Sequence, residues 1–557
     1  MTSRLTDLGS AVRDALEPGL HLHLTTSCRA ATREVLRQSH DLDLGLTLIM
    51  CRVGGGHAAD LVASGSVRAV IAGSYGAVSS AYAGPMPQLR AVFGRGDVTF
   101  QHWSFLSLTQ RLQAAARGLP FAQTHSLLGS SMAVANAADF MAIPDPFGSP
   151  DQAAIMSPLA PDVSIVHALA ADEDGNTIVI PPQEDGVWGA LASRRGAIVT
   201  AEHIVSRDVI RRNSHLVRLP ARYVRAVCHV PFGAHPGRFG SRVFPDLRFY
   251  DADQDFDHAY LAASRDPGLI EAWLQRWVIG IADHDAYLAQ LGEEKLAALQ
   301  RPRETVQSQP AAEDSSPPSA SETLMTLAMR EVMSMIREEG HDVLLVGAGL
   351  AEAPAAAARH ALREDGIDVS LATGHGFFGF EPAPGRFEPD VDSALMSADG
   401  SEIYGVVLGG TRPHGLAILG AAQVDRCGNT NSTVVAGQLI TGSGGANDAA
   451  SVCDTIVVTR MSKRKLVSQV EFVTCPGTRV RAVVTDKGVF RKPRGDAPLQ
   501  LSAYLADDAT SADDAIAEIR AGCGWDLEIS DELNRVPTAT GPELSLIRWL
   551  MPDRYRG

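Results

Sequence analysis

Paired cysteine is what this sequence most plainly lacks: seven cysteines in 557 residues, Cys28, Cys51, Cys228, Cys427, Cys453, Cys475 and Cys523, stand singly with no C-x-x-C pair. That excludes zinc-finger spacing and a disulfide framework, so no metal site is expected, and reduced thiols in a cytoplasmic protein are. Excess positive charge is lacking too. The formal charge is −16, spread along the chain, so nucleic acid and anionic membrane would both be repelled and neither is expected as a partner. Long apolar runs are also missing. The opening MTSRLTDLGSAVRDAL has no uninterrupted signal-peptide core, and no stretch approaches the roughly 20 apolar residues of a membrane span. A soluble protein is expected.

What is present suffices for more than one core. With 45% hydrophobic and 20% charged residues over this length, at least two domains are expected. The clearest composition break is RPRETVQSQPAAEDSSPPSASE, residues 301–322, where proline, serine and charge displace every apolar period, as in an exposed linker. The expected division is therefore 1–300, a linker over 301–322, and 323–557. Ser319 and Glu322 then have capping-box spacing, and Leu324, Leu327, Ala328, Val332, Met335 and Ile336 keep a helical stripe until Gly340.

Beyond that helix, strand-like DVLLVGAG, an alanine-rich helix over 351–362 and strand-like DVSLAT alternate as in βαβ units. The N-terminal half opens on the same plan, with a helix ending near Gly19, strand HLHLTTS, helix RAATREVLRQ and strand LGLTLIMC. Both halves are expected to be α/β, with mainly parallel sheets. A second correspondence lies deeper, where ADEDGNT and VDRCGNT share Asp-x-x-Gly-Asn-Thr. In each copy the pattern reads as a tight turn, with Asp172 or Asp425 and Asn176 or Asn429 bonding nearby amides; the repetition marks two related domains.

Two glycine-rich stretches invite a chemical reading. VGAGLAEA has Gly347 and Gly349 at dinucleotide-fingerprint spacing, but Glu352 replaces the third glycine, and a carboxylate there would repel a pyrophosphate. ITGSGGANDAAS, residues 440–451, places Gly442, Gly444 and Gly445 before a segment able to open a helix. Such a loop either presents backbone N–H groups to a developing oxyanion or simply joins a strand to a helix.

GAAQVDRCGNTNSTVV, TGSGGANDAAS, VEFVTCPG and VVTDKGVF, in that order, resemble the β half of family I CoA-transferases of the glutaconate type. QHWSFLSLTQRLQAAARGLPFAQTHSLLGSS, VTAEHIV and VPFGAHPG are similar to the α half. The resemblance implies fused α and β subunits, two homologous CoA-transferase-type domains (the NagB/RpiA/CoA-transferase-like fold), an acyl-CoA substrate and a homo-oligomer. Coenzyme A would arrive as part of that substrate, with no permanently bound cofactor. Gly442, Gly444, Gly445, Gln423 and Asn429 would contact it, and Lys463, Arg464 and Lys465 form either a site for its phosphates or a solvated charge run.

In that family a β-half glutamate, in a Glu-Ser-Gly triplet, forms an acyl anhydride and then a glutamyl-CoA thioester. Aligning the following G-x-x-G on residues 376–379 puts the triplet on Gly374, His375 and Gly376, none of which can do this. Glu381, just downstream, is a reserve candidate. A related steroid-ring-opening hydrolase uses an α-half acid instead, and its position falls near Gln101 or His102. Histidines thus stand at both altered places, His375 and His102, with His125 nearby, and histidine exchanges protons near neutrality. The resulting expectation is an acyl-CoA enzyme diverged to hydrolysis of a thioester or a β-keto C–C bond. The alternatives are true transfer through a displaced glutamate and a non-catalytic CoA-binding protein. Phe377, Phe378 and Phe380 beside the altered site suit either an apolar acyl group or core packing.

Overall fold

Two mainly parallel sheets, one in each half of the chain, organise the computed structural model. It describes residues 3–555 apart from 79–81, 149–151, 181–184, 241–246, 248, 302–315, 383, 385–392, 413, 494–496, 508–509 and 552–554. Most of the expected linker thus lies outside the described residues.

The first sheet has β1 (His21–Leu24), β2 (Leu46–Arg52), β3 (Val67–Ser74), β4 (Thr99–His102), β5 (Val163–Ala171), β6 (Ala197–Ile204) and β7 (Val224–His229). These seven pair in parallel in the order β7-β6-β5-β1-β2-β3-β4. Helix α1 (Arg29–Ser39) follows β1 and α2 (Phe105–Ala116) follows β4. All nine residues of β5 are buried, which is what a central parallel strand covered on both faces requires. The helix expected to run to Gly19 stops sooner, spanning Leu8–Arg13. Pro18 keeps a helix from reaching Gly19, because proline disfavours helical geometry in the residue before it and offers no N–H of its own.

The second half starts with α3 (Ala320–Glu339), where the Ser319 and Glu322 side chains form the expected capping box. Gly340 ends it at φ 74°, a left-handed geometry that glycine adopts without a Cβ penalty. The stripe read from the sequence is buried along its whole length. Strands β8 (Val343–Val346), β9 (Ser370–Thr373), β10 (Gly415–Gly420), β11 (Asp454–Val458) and β12 (Val480–Val484) follow, with α4 (Glu352–Glu364) between β8 and β9 and α5 (Ala446–Val452) before β11. They pair in parallel in the order β9-β8-β10-β11-β12, and antiparallel strands extend both edges.

The two Asp-x-x-Gly-Asn turns share the bond from the asparagine amide to the aspartate. Asp172 accepts from the amides of Gly175 at 2.9 Å and Asn176 at 2.8 Å, and Asp425 from those of Cys427 and Asn429, each at 3.0 Å. Each follows the strand beside its sheet's first, β5 next to β1 and β10 next to β8.

Candidate active site

Strand order in the second sheet reverses between β8 and β10, and in open α/β sheets ligands bind at the carboxyl ends of strands at such a switch point. A cavity of about 460 Å³ opens there, lined by Val346 and Gly347 after β8, by Leu419 and Gly420 of β10, and from the other half by Arg52 and Phe105. Both halves therefore build it. Their union is hydrogen-bonded: Tyr75 N–H donates to Thr441 O at 2.8 Å, Gly444 N–H to Gly73 O at 2.8 Å, and Phe105 N–H to Gly444 O at 3.0 Å.

Gly442, Gly444 and Gly445 all line the cavity, but their amides are not equivalent. Gly442 N–H is donated to Ser432 O at 2.9 Å and Gly444 N–H to Gly73 O at 2.8 Å. In this loop, the amides of Ser443 and Gly445 are the ones without a protein acceptor among the described residues. The oxyanion reading of the loop thus narrows to those two N–H groups.

After the loop, Asn447 and Asp448 face the first half. The Leu127 amide donates to Asn447 Oδ1 at 2.7 Å, Ser126 Oγ to Asp448 Oδ1 at 2.6 Å, and the Leu106 amide to Asp448 Oδ2 at 3.0 Å. Burial pushes the Asp448 carboxyl up to about 6, against those hydrogen bonds.

His375 lines the cavity, and its Nε2 takes a hydrogen bond from Arg52 Nη2 of the first half. A guanidinium can only donate, so Nε2 bears the lone pair and Nδ1 the proton. Beside it lies Gly374, onto which the resemblance places the family's glutamate. A Cβ there would stand 1.9 Å from the Tyr404 hydroxyl, and a Cβ on Gly445 would stand 1.6 Å from the same atom. The Tyr404 ring thus fills the space into which a side chain at 374 would extend. Tyr404 lies in a π-helical stretch, Ile403–Leu408, a form frequent at functional sites. Burial holds its phenol well above the usual range. It stays a donor, and its hydroxyl makes no hydrogen bond among the described residues.

Other sequence candidates lie elsewhere. His102 is 6% exposed, packed edge-on against Tyr75 at 5.2 Å and Phe472 at 5.8 Å. Burial lowers its pKa to about 4, and it is not among the cavity's lining residues. The alignment brought His102 near an active-site position, whereas the end of β4 turns it into an aromatic cluster. His125 is exposed. Glu381 is held at the surface by Arg359, at 2.6 and 2.7 Å, and these partners keep its carboxyl below the usual range. Asn429 holds the turn, its Nδ2 donating to Asp425 and its Oδ1 accepting from Gly477 N–H at 2.8 Å. Gln423 Oε1 accepts from Asn431 Nδ2 at 3.1 Å. Phe377 is in the core, and Phe380 reaches the cavity. Lys463 lines a separate polar hollow.

The motifs did not single out Arg52, Tyr404 or the Ser443 amide. Glu352, noted only as the residue that breaks a dinucleotide fingerprint, is the carboxylate that does line the cavity, and it caps the turn before α4 by accepting from Gly349 N–H.

Comparison with known proteins bears on the family and the fold. Residues 8–229 match the profile of the Coenzyme A transferase family. One of the two subunits of glutaconate CoA-transferase from Acidaminococcus fermentans is 30% identical over 321 residues, covering 53% of this chain and 94% of that polypeptide. Its companion in the same enzyme is 31% identical over 136 residues, 21% of this chain and 49% of the companion's length. One polypeptide thus carries sequence similar to both. The structure of an acyl-CoA transferase from Escherichia coli O157:H7, in a thioester complex with CoA, superposes with a TM-score of 0.65 at 15% identity, over 99% of this chain and 98% of that one. At that identity the likeness concerns the fold.

Proposed function

Since the chain belongs to the coenzyme A transferase family, we propose that it cleaves an acyl-CoA thioester with water as the attacking group rather than a glutamate. The observation that supports this reading is the crowding at Gly374, onto which the resemblance places the family's nucleophile: Tyr404 takes up the room a side chain there would need.

The thioester carbonyl enters beside the loop, its oxygen facing the amides of Ser443 and Gly445, and the Tyr404 hydroxyl supplies a third donor as negative charge builds. Arg52 moves its hydrogen bond from His375 to the substrate, which frees Nε2 as a base. Water oxygen bonds to the carbonyl carbon while its proton passes to Nε2. The tetrahedral intermediate expels coenzyme A as thiolate, and the thiolate takes the proton back from His375. A carboxylic acid and free CoA leave.

The test is CoA release from a panel of acyl-CoAs with no carboxylate acceptor present, run in ¹⁸O water. Label in the product acid is expected. Turnover that requires an added carboxylate, with a protein adduct trapped by borohydride or hydroxylamine, would sink the proposal. A second reading rests on one observation, that Glu352 lines the cavity. True transfer through a displaced glutamate would then place the trapped adduct on Glu352 and not on the surface residue Glu381.

A further inference from the structure

At the opposite end of the second sheet from the cavity, three donor side chains far apart in sequence converge. Glu339 is the last residue of α3, Gly340 reverses the chain, and His341 precedes β8. Asp454 is the first residue of β11. His341 Nε2 lies 3.8 Å from Glu339 Oε2 and 4.0 Å from Asp454 Oδ2, and one donor atom from each of the three lies within 4.8 Å of the others.

The histidine is what separates this group from an ordinary acidic cluster. It is 8% exposed, and its Nε2 has no hydrogen-bond partner. Its Nδ1 is 3.3 Å from the carbonyl oxygen of His414; a carbonyl can only accept, so Nδ1 donates there and Nε2 is the nitrogen aimed at the two carboxylates. Arg481 offsets the charge of Glu339 from one side, and a cation held between Nε2 and the two carboxylates would offset the rest. A proton bridges poorly across gaps that exceed the ~2.7–3.2 Å of a good hydrogen bond. Separations of 3.8 and 4.0 Å from Nε2 to the two carboxylate oxygens are of the size expected between atoms that share a zinc ion at about 2.0–2.2 Å each, allowing a small adjustment.

We propose that Glu339, His341 and Asp454 form a binding site for a divalent transition metal of the zinc class. The outer contacts are those such sites use. Arg481 Nη2 donates to Glu339 Oε1 at 2.8 Å, leaving Oε2 to the metal, and the His414 carbonyl fixes the imidazole tautomer. One imidazole nitrogen and two carboxylate oxygens suit zinc, cobalt or manganese better than magnesium. The carboxylates are 26% and 23% exposed, so water can complete the coordination. The ion would tie the end of α3 to the amino ends of β8 and β11. This role is structural and separate from acyl-CoA cleavage.

Untagged full-length protein, freed of metal by a chelator and dialysed, is titrated with Zn²⁺ by calorimetry and with Co²⁺ by absorption. One equivalent should bind, with a rise in Tm. His341→Ala and Asp454→Asn should each weaken binding at least tenfold, and Arg481→Ala less, while acyl-CoA turnover at saturating substrate stays within twofold of the parent. Asp454→Asn nearly preserves shape, so it reports on ligation even if the His341 variant folds poorly. Absence of saturable binding, or binding unchanged in Asp454→Asn, overturns the site. So does a doubly protonated His341 imidazole seen by NMR at neutral pH with Zn²⁺ present.

Discussion

If Tyr404 occupies the room of a side chain at 374, substitutions at the two positions must be strongly coupled. In Gly374→Ala, the new Cβ meets Tyr404 Oη at 1.9 Å and Cζ at 2.8 Å, and the same hydroxyl packs so closely on Gly445 that an added Cβ there would stand 1.6 Å from it. Overpacking of this kind costs about 1–3 kcal/mol. Tyr404→Ala alone, by emptying a buried aromatic site, costs about 3–5 kcal/mol. In that background the three atoms nearest the new Cβ, all from the Tyr404 side chain, are gone. Gly374 is not among the positive-φ glycines, so alanine brings no backbone strain and gains roughly 0.4–1 kcal/mol by restricting the unfolded chain. The coupling should therefore be about 1.5–4 kcal/mol, the double variant being more stable than the sum of the single effects implies. Thermal denaturation of the four proteins reads it, at about 2–4 °C per kcal/mol for a unit of this size. Additive shifts would refute the steric reading of Gly374. Gly374→Glu combined with Tyr404→Ala restores both a carboxylate and room for it, and should give a hydroxylamine-sensitive adduct on residue 374 that the parent lacks.

His375→Gln should lower kcat for CoA release by about 10²–10⁴-fold, the usual worth of a general base, with Tm within a degree or two; an unchanged kcat removes His375 from the mechanism. Glu381→Gln should leave turnover unaltered and cost less than about 1 kcal/mol, since an exposed ion pair contributes little, and a large loss of activity would return Glu381 to the site. Burial lowers the pKa values of His102 and His235 to about 4 and of His284 to about 3. Depressed histidine pKa values contribute stability that is present above the unfolded value near 6.5 and is lost as pH falls through the folded values, on the order of 3 kcal/mol each. Tm should thus fall steeply between pH 6.5 and 3, and His102→Gln should flatten part of that slope; a slope unchanged in the variant would mean that His102 is not held neutral.

What the sequence disclosed was local or repeated. The Ser319–Glu322 capping box, the stripe of α3 and the paired Asp-x-x-Gly-Asn turns depend on residues a few positions apart, and each appears where the spacing predicts. The loop that the ordered motifs single out lines the cavity. Which amides of that loop face the cavity was not legible, because Gly444 bonds to Gly73 and the Phe105 amide to Gly444, across the two halves. Arg52 and Tyr404 were missed for the same reason, since neither has a local signature and both reach the site through the docking of distant elements. His102 and His375 looked alike in an alignment, yet one ends in an aromatic cluster and the other in the cavity, a difference decided by tertiary packing at the ends of β4 and β9. Asn429 was expected to hold ligand but is engaged by its own turn, which its similarity to Asn176 already suggested.

The position of Asp448 indicates why the two halves act as one unit. Its carboxyl is buried, its pKa is pushed up to about 6, and it joins Ser126 and the Leu106 amide of the first half to the helix that follows the glycine loop. Burial of such a group is tolerated only while those donors are in place, since an uncompensated buried charge costs several kcal/mol. Separating the halves would therefore expose Asp448, break the Gly73–Gly444 bond and release the Ser443 and Gly445 amides from their fixed directions. It would also withdraw Arg52 from His375. The stability of the interface and the geometry of the proposed oxyanion site thus depend on the same contacts, and joining the halves in one chain raises the effective concentration at which those contacts form.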